Sequence, residues 1–356
     1  MTQSVQDPPT APRTSAKARV VRAHTRTSRS VRIVTLGLSV AVFVTFCASL
    51  AIGDFTVSIF RVIPAAFGAA NEDEVFVVQE LRLARALLAL LVGLAFGMSG
   101  AVFQSLARNP LASPDILGIT AGGSLTAVFG LTVLGLSGLL LSLSATVGAL
   151  VTAAVIYVLA YRRGLSSYRL VLVGIGVGAV ALALMQYFWT RAHTHDAASA
   201  TVWLSGSLNG RGWESIEPIL IMLALVIPFT VALGKQLSVL ELGDDSASAV
   251  GLSVQRSRVL LLFAGVALAG AGIGAAGPVA FVAFVCAPIA RRLSKSPGPA
   301  LVPAALTGAV LVLVADLVGR TAMSSTEVPV GIITGIVGAP YLLWLLATTN
   351  SSGQGD

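Results

Sequence analysis

Uncharged apolar runs as long as a membrane is thick dominate this chain. Residues 33–53, 86–107 and 170–190 carry no Asp, Glu, Lys or Arg over 21, 22 and 21 positions. A bilayer core of roughly 30 Å takes about 20 helical residues, and a helix satisfies its own backbone where there is no water. Two runs are longer. Residues 116–161 make 46 uncharged positions, two spans joined by a tight turn at "GLSG" (135–138). Residues 259–290 make 32, too many for one span and few for two. There "GAAGP" (274–278) breaks the run into a hairpin with one short arm. Residues 218–234, 296–315 and 328–349 supply three more. The expectation is an all-α polytopic membrane protein with ten transmembrane helices. Composition agrees, since 11% of residues are charged where a soluble domain has about 25%.

Lys and Arg set the orientation, because cytoplasmic loops carry their excess. With the N-terminus inside and spans alternating, 17 of the 23 Lys and Arg fall on the inner side. Six fall outside: Arg61, Arg82, Arg85, Arg191, Arg211 and Arg320. Both termini are then cytoplasmic, as is the segment 236–256. Residues 1–32, rich in Ser, Thr, Pro and Arg, read as a disordered basic tail. Residues 33–349 read as the transmembrane domain and 350–356 as a short cytoplasmic end. The first apolar run is long for a cleaved signal peptide. The two cysteines, Cys47 and Cys286, sit inside apolar runs and read as small hydrophobes. The basic balance is explained by the membrane bias and the tail, so it gives no reason to expect a nucleic-acid partner.

Function classes narrow next. An ion-coupled transporter needs titratable ligands inside the membrane, and these spans offer little beyond Asp316. A proton-coupled secondary transporter using Asp316 is therefore the alternative from another class. There is no His-Glu-x-x-His, no Gly-x-Ser-x-Gly and no phosphate-binding Gly-x-x-x-x-Gly-Lys-[Ser/Thr] loop. If the chain pumps with ATP, the ATPase is another polypeptide. The outer "RAHTHDAAS" puts His193 and His195 in a loop, where they read as solvated polar residues. Glycines at helical spacing, such as Gly174 and Gly178 on one face, read as close helix packing.

One cytoplasmic stretch departs from this pattern. "LELGDDSASAVGLSVQRSR" (240–258) turns polar between apolar runs. Asp244 suits a helix N-cap and Asp245 the first turn of that helix. Gly251 suits a helix end, and Ser253 a cap for a second short helix. A rigid knob of this kind is suited to docking a soluble partner.

The same stretch resembles the cytoplasmic coupling loop of the FecCD family, the permeases of bacterial ABC importers for ferric siderophores, haem and vitamin B12. Three further long motifs agree, in order. They are "RLARALLALLVGLAFGMSGAVFQSLARNPLASPDILGITAGG" (82–123), "GPVAFVAFVCAPIARRL" (277–293) and "ADLVGRTAMSSTEVPVGIITGIVGAPYLLWLL" (315–346). "WLSGSLNGRGW" (203–213) fits as well. The resemblance covers about residues 35–347.

The resemblance implies ten helices per subunit and an assembly of two permease subunits, a homodimer or a paralogous heterodimer, with two ABC ATPases. A binding protein outside the membrane would deliver the cargo. No cofactor is implied on this chain; ATP and Mg would sit on the partner ATPase. ATPase coupling is implied for Leu242, Gly243, Asp244, Asp245, Ala247 and Gly251. Docking of the binding protein is implied for Arg82, Arg85 and Arg320, and a cytoplasmic gate for Asn109, Leu111, Ser167 and Tyr168. This sequence departs from the family pattern in places. Tyr168 stands where a small residue is expected, Ala287-Pro288 where Pro-His is usual, and Ala84 where proline is common. The motifs look closest to the ferric siderophore branch, within it to catecholate permeases, with haem or cobalamin as the alternative cargo.

Overall fold

The computed structural model describes residues 16–53, 59–162, 164, 166–296, 298–323 and 327–350. Among them the chain is helices and turns without a strand. In chain order these are α1 Ala16–Ala51, α2 Ile59–Ala66, α3 Glu72–Phe76, a π-helical turn Val77–Leu83 and α4 Ala84–Ala107. Then come α5 Ile119–Thr132, α6 Gly138–Ala160, α7 Ser167–Arg191 and α8 Thr194–Leu204. A 3-10 turn at Trp213–Ser215 leads into α9 Ile216–Ala232, followed by α10 Gly234–Glu241 and α11 Asp244–Ala249. The last four are α12 Val254–Ala276, α13 Val282–Ser294, α14 Leu301–Thr321 and α15 Val330–Asn350.

Seven of these segments are long and apolar enough to cross a bilayer. The other three crossings of the ten are α5, α13 and α15. The expected turn at 135–138 falls between α5 and α6, and the expected break at 274–278 falls between α12 and α13. α5 has 14 residues and α13 has 13, about 20 Å each, too short for the hydrocarbon core. Each is completed by non-helical backbone, 108–118 before α5 and 277–281 before α13. Such backbone is tolerated at membrane depth only inside protein or beside a cavity.

Two expectations change. The tail read as disordered over 1–32 is helical from Ala16, continuous with the first span; residues 1–15 lie outside the described residues. Extending an existing helix is far easier than nucleating one, and Arg and Ala extend it well. The second span also starts earlier than its uncharged run. Glu72–Ala107 forms one rod of 36 residues, and Ala84, in place of a proline, lets the ladder run through.

α4 and α12 are the most enclosed spans, and the others pack round them. Glycine makes the closest crossing. Gly93 and Gly97 of α4 face Gly308 and Ala304 of α14, and a Cβ on any of the three glycines would strike backbone of the other helix. Helices in lipid gain little from apolar burial alone, so this approach supplies the contact energy. Gly308→Val should therefore abolish accumulation of folded protein, measured by fluorescence-detected size exclusion. An unchanged monodisperse peak would mean the crossing tolerates separation. Gly174 and Gly178 share a face as expected and pack on Leu117 and Gly118, which fixes α7 to the loop before α5.

Candidate functional site

The two interrupted crossings meet at one place. Ser113, Asp115 and Ile116 from the first break and Pro278, Ala280 and Phe281 from the second line a common cavity of about 560 Å³. Leu182 and Met185 of α7 and Leu204 of α8 close further sides. The walls are mainly apolar, and Asp115 is the charged residue among those lining it. Its Oδ1 accepts a 2.6 Å bond from the Thr120 hydroxyl. Sequence reasoning missed Asp115, since it stood one place outside an uncharged run. The backbone break beside it was the available signal.

The loop carrying Ser113 and Asp115 also borders a second cavity, on the face that bears α11. That cavity, about 850 Å³, is lined by Arg108, Asn109, Pro110, Ser167, Tyr168, Asp244 and Arg258 among others. Three of the four expected gate residues are thus brought together, and with them one expected coupling residue. Asn109 Oδ1 accepts the Leu111 N–H at 2.9 Å, which tightens the turn. The Ser167 hydroxyl donates to the Leu106 carbonyl at 2.9 Å, tying α7 to α4. Tyr168 is 75% exposed while lining this cavity. Leu111, the fourth, turns away and packs on a small cluster formed by Phe284, Val285 and Leu345.

α11 stands on this face as a short knob, with α10 before it. Gly243, at φ +106°, is the cap residue of α11, so Asp244 is not the N-cap expected from sequence. Two guanidinium groups claim its carboxylate instead. Arg258 Nη2 lies 2.7 Å from Asp244 Oδ1 and Arg108 Nη2 lies 3.5 Å from it. Gly251, at φ +83°, ends the knob as expected. Ser253 does precede a helix, but that helix is the 23-residue α12 rather than a short piece. Ala247 is buried against the body. Leu242 and Val250, each 72% exposed, flank the knob as apolar contact points, and Asp245 is exposed between them. Beside it Arg291 of α13 bridges Glu241 at 2.9 Å and the Ser105 hydroxyl at 2.6 Å. The knob is bolted to α4, α12 and α13 through charge-assisted bonds, which are shorter and stronger than neutral ones.

The opposite face holds the three expected docking arginines, and each is engaged within the chain. Arg82 and Arg85 do not point one way as i, i+3 neighbours on a regular helix would, because Arg82 belongs to the π turn. Arg82 Nη1 donates to the Leu50 and Ala51 carbonyls at 2.9 and 3.2 Å, capping α1, whose last carbonyls lack helical partners. Arg85 Nε lies 2.8 Å from Asp316 Oδ1 and its Nη1 2.7 Å from Glu327 Oε2. Arg320 Nε lies 3.2 Å from Asp316 Oδ2, and its Nη2 donates to the Ser49 hydroxyl at 2.7 Å. Asp316, 0% exposed, is thus the centre of a charge cluster joining α1, α4 and α14. His195 is exposed and stands 3.5 Å from Asp196.

The model of the FecCD transport family matches residues 41–348. The chain belongs to the FecCD transport family. Relatives in this family include the ferric enterobactin transport system permease protein of Escherichia coli (strain K12). It is 39% identical over 319 residues, covering 90% of this chain and 97% of its own length. The achromobactin transport system permease protein of Dickeya dadantii (strain 3937) is 42% identical, covering 90% and 94%. The iron(3+)-hydroxamate import system permease protein of Bacillus subtilis (strain 168) is 37% identical, covering 87% and 95%. Among solved structures, an inward-facing metal-chelate type ABC transporter superposes with a TM-score of 0.80 at 26% identity. The match covers 89% of this chain and 99% of that one. FecCD chains of this kind are multi-pass membrane permeases, transport subunits rather than enzymes.

Proposed function

We propose that this chain is the permease subunit of an ATP-binding-cassette importer that carries a ferric siderophore into the cytoplasm by alternating access. The observation that carries the reading is the shared loop 109–116, which borders the central cavity on one side and the α11-face cavity on the other. A loop in that place, whose far end at Leu117 and Gly118 is held against α7 by glycine contacts, is built to open one cavity to the other. The names of the relatives span ferric enterobactin, achromobactin and an iron(3+)-hydroxamate, so the iron chelate is assigned as a class.

In this reading the α11 face is cytoplasmic, with both termini on that side. Leu242 and Val250 would seat in the ATPase, Asp245 would face it, and Gly243 and Gly251 would shape the knob. Ala247 and Asp244 would hold it to the body. ATP closing the ATPase pair would move α11, and Asp244, through Arg258 and Arg108, would carry that motion to α12 and to the gate loop. Asn109, Ser167 and Tyr168 would form the gate around the 850 Å³ cavity, with Leu111 fastening it to α13. Arg82, Arg85 and Arg320 would present the docking ground for a binding protein, steering its approach more than fixing its affinity. A second permease subunit, two ATPases and a binding protein would complete the assembly. ATP and Mg would be held by the ATPase.

Uptake of radio-iron-loaded siderophores in cells lacking the chain tests this. Deletion should abolish uptake of at least one ferric siderophore and a plasmid copy should restore it. Unchanged uptake across catecholate, carboxylate and hydroxamate complexes, with loss of haem or cobalamin uptake, would overturn the cargo assignment.

A further inference from the structure

The stretch 203–213 has no task in the import reading, yet it builds a third cavity. This one lies on the face opposite α11, has a volume of about 520 Å³, and is lined by His195, Trp203, Ser207, Asn209, Arg211 and Glu214 among others. We propose that Arg211, with Trp203 and Asn209, forms an anion-recognition site that takes the charged oxygens of an incoming metal chelate at the outer mouth of the pathway. The proposal rests on the import reading for the identity of its ligand.

Four observations carry it. The first is the state of Arg211. Of the outer basic residues beyond the Asp316 cluster and Arg82, Arg61 pairs with Glu74 at 3.1 Å and Arg191 lies over the Tyr187 ring at 5.0 Å. The Arg211 guanidinium, partly buried, has no hydrogen-bond acceptor among the described residues. Burial lowers its pKa from the usual arginine value, and the nearby Glu214 charge offsets part of this without forming an ion pair. A guanidinium that lines the cavity without an acceptor of its own is free to bind an anion that enters it.

The second is Trp203, 6% exposed, an aromatic surface in the same cavity wall as Arg211; its indole N–H is itself enclosed. The third is rigidity. Gly206, at φ +69°, packs against the Pro278 carbonyl, and its own carbonyl accepts the Gly331 N–H at 2.9 Å. The Arg211 N–H reaches the Leu208 carbonyl at 3.4 Å, and Leu208 is buried. The loop is therefore held before any ligand arrives.

The fourth is position. α8 is the wall between this cavity and the central one, since Trp203 lines the outer cavity and its neighbour Leu204 the inner. The inner lining offers an anion Asp115 and no base. An anionic chelate would be gathered at the mouth and not retained inside, which is what passage requires. A concave site with its donors within it suits a small chelate better than a side chain on a docking protein.

The test uses the permease–ATPase complex in lipid nanodiscs without binding protein, and two radio-iron probes of opposite charge. One is a ferric tris-catecholate trianion, the other a ferric tris-hydroxamate bearing a free ammonium. The expected result is that Arg211→Gln weakens binding of the trianion by about 10-fold or more, as loss of a charged hydrogen bond should. Arg211→Lys should retain part of it, and binding of the cation should not fall. Equal weakening of both probes, or no binding of the trianion by the wild-type complex, would overturn the proposal. So would an Arg211→Gln complex that keeps the trianion but loses a binding protein in pull-down. None of these outcomes touches the deletion test of import, so the two readings can fail separately.

Discussion

Asp316→Ala should sharply lower the stability of the purified protein, and Asp316→Asn should do nearly as much. The carboxylate is fully enclosed and faces Arg85 at 2.8 Å and Arg320 at 3.2 Å. Removing one member of a buried ion cluster leaves the others uncompensated, at a cost of about 3–5 kcal/mol. Here two guanidinium groups would be left facing each other, with Glu327 on Arg85 and Ser49 on Arg320 as partial relief. A drop of several degrees in the detergent unfolding midpoint is expected. The double variant Asp316→Ala, Arg320→Ala should lose less than the two single variants summed, because the second change removes part of the stranded charge. This separates a structural pin from a proton carrier, the role an isolated intramembrane carboxylate would suggest. A variant with a wild-type midpoint but no uptake would restore the carrier role. The family membership and the two partner arginines both favour the pin.

What the sequence made legible follows from which physics is local. Uncharged length located the spans, and "GAAGP" located the break before α13, because both depend on the composition of a continuous stretch. Gly251 ended the knob where a left-handed residue was needed, at φ +83°. Partner choice is not local. Asp244 had the right identity for a helix cap, but Gly243 takes that position, and Arg258 and Arg108 from elsewhere in the chain take the carboxylate. Arg82 and Arg85 had the spacing of one face, but a π turn changes the angular step between them. Asp115, Trp203 and Arg211 belong to cavities, and a cavity is a property of several helices at once. The breaks in the helical pattern before α5 and α13 were the local hints of the central cavity. α8 was hidden for another reason: its 11 residues are short and mixed in polarity, so neither length nor period marks it.

Asp244→Lys should reduce siderophore uptake by at least about 10-fold while leaving the amount of inserted protein near normal. The carboxylate is 43% exposed, whereas the Arg258 side chain it holds is 5% exposed. The partly hydrated position limits the stability loss to about 1–2 kcal/mol, which a large membrane domain can absorb. The geometric loss is larger. A lysine would place a third cation beside Arg108 and Arg258 and push α11 away from α12 and from the end of α4. α11 has six residues, too few to hold its place without these bonds. The ATPase would still meet Leu242 and Val250 on the knob, but its motion would no longer reach the loop at Asn109. The predicted signature is therefore retained ATPase association with reduced uptake. Asp245→Lys supplies the contrast. Asp245 is exposed and makes no ion pair among the described residues, so its replacement should weaken ATPase association and spare the seating of α11. Exchanging the pair as Asp244→Arg, Arg258→Asp should recover part of the uptake lost by Asp244→Lys, measured with radio-iron siderophore at equal permease levels. Full uptake by Asp244→Lys alone would show that force reaches the gate by another route, with the Arg291–Glu241 bridge the next bond to cut.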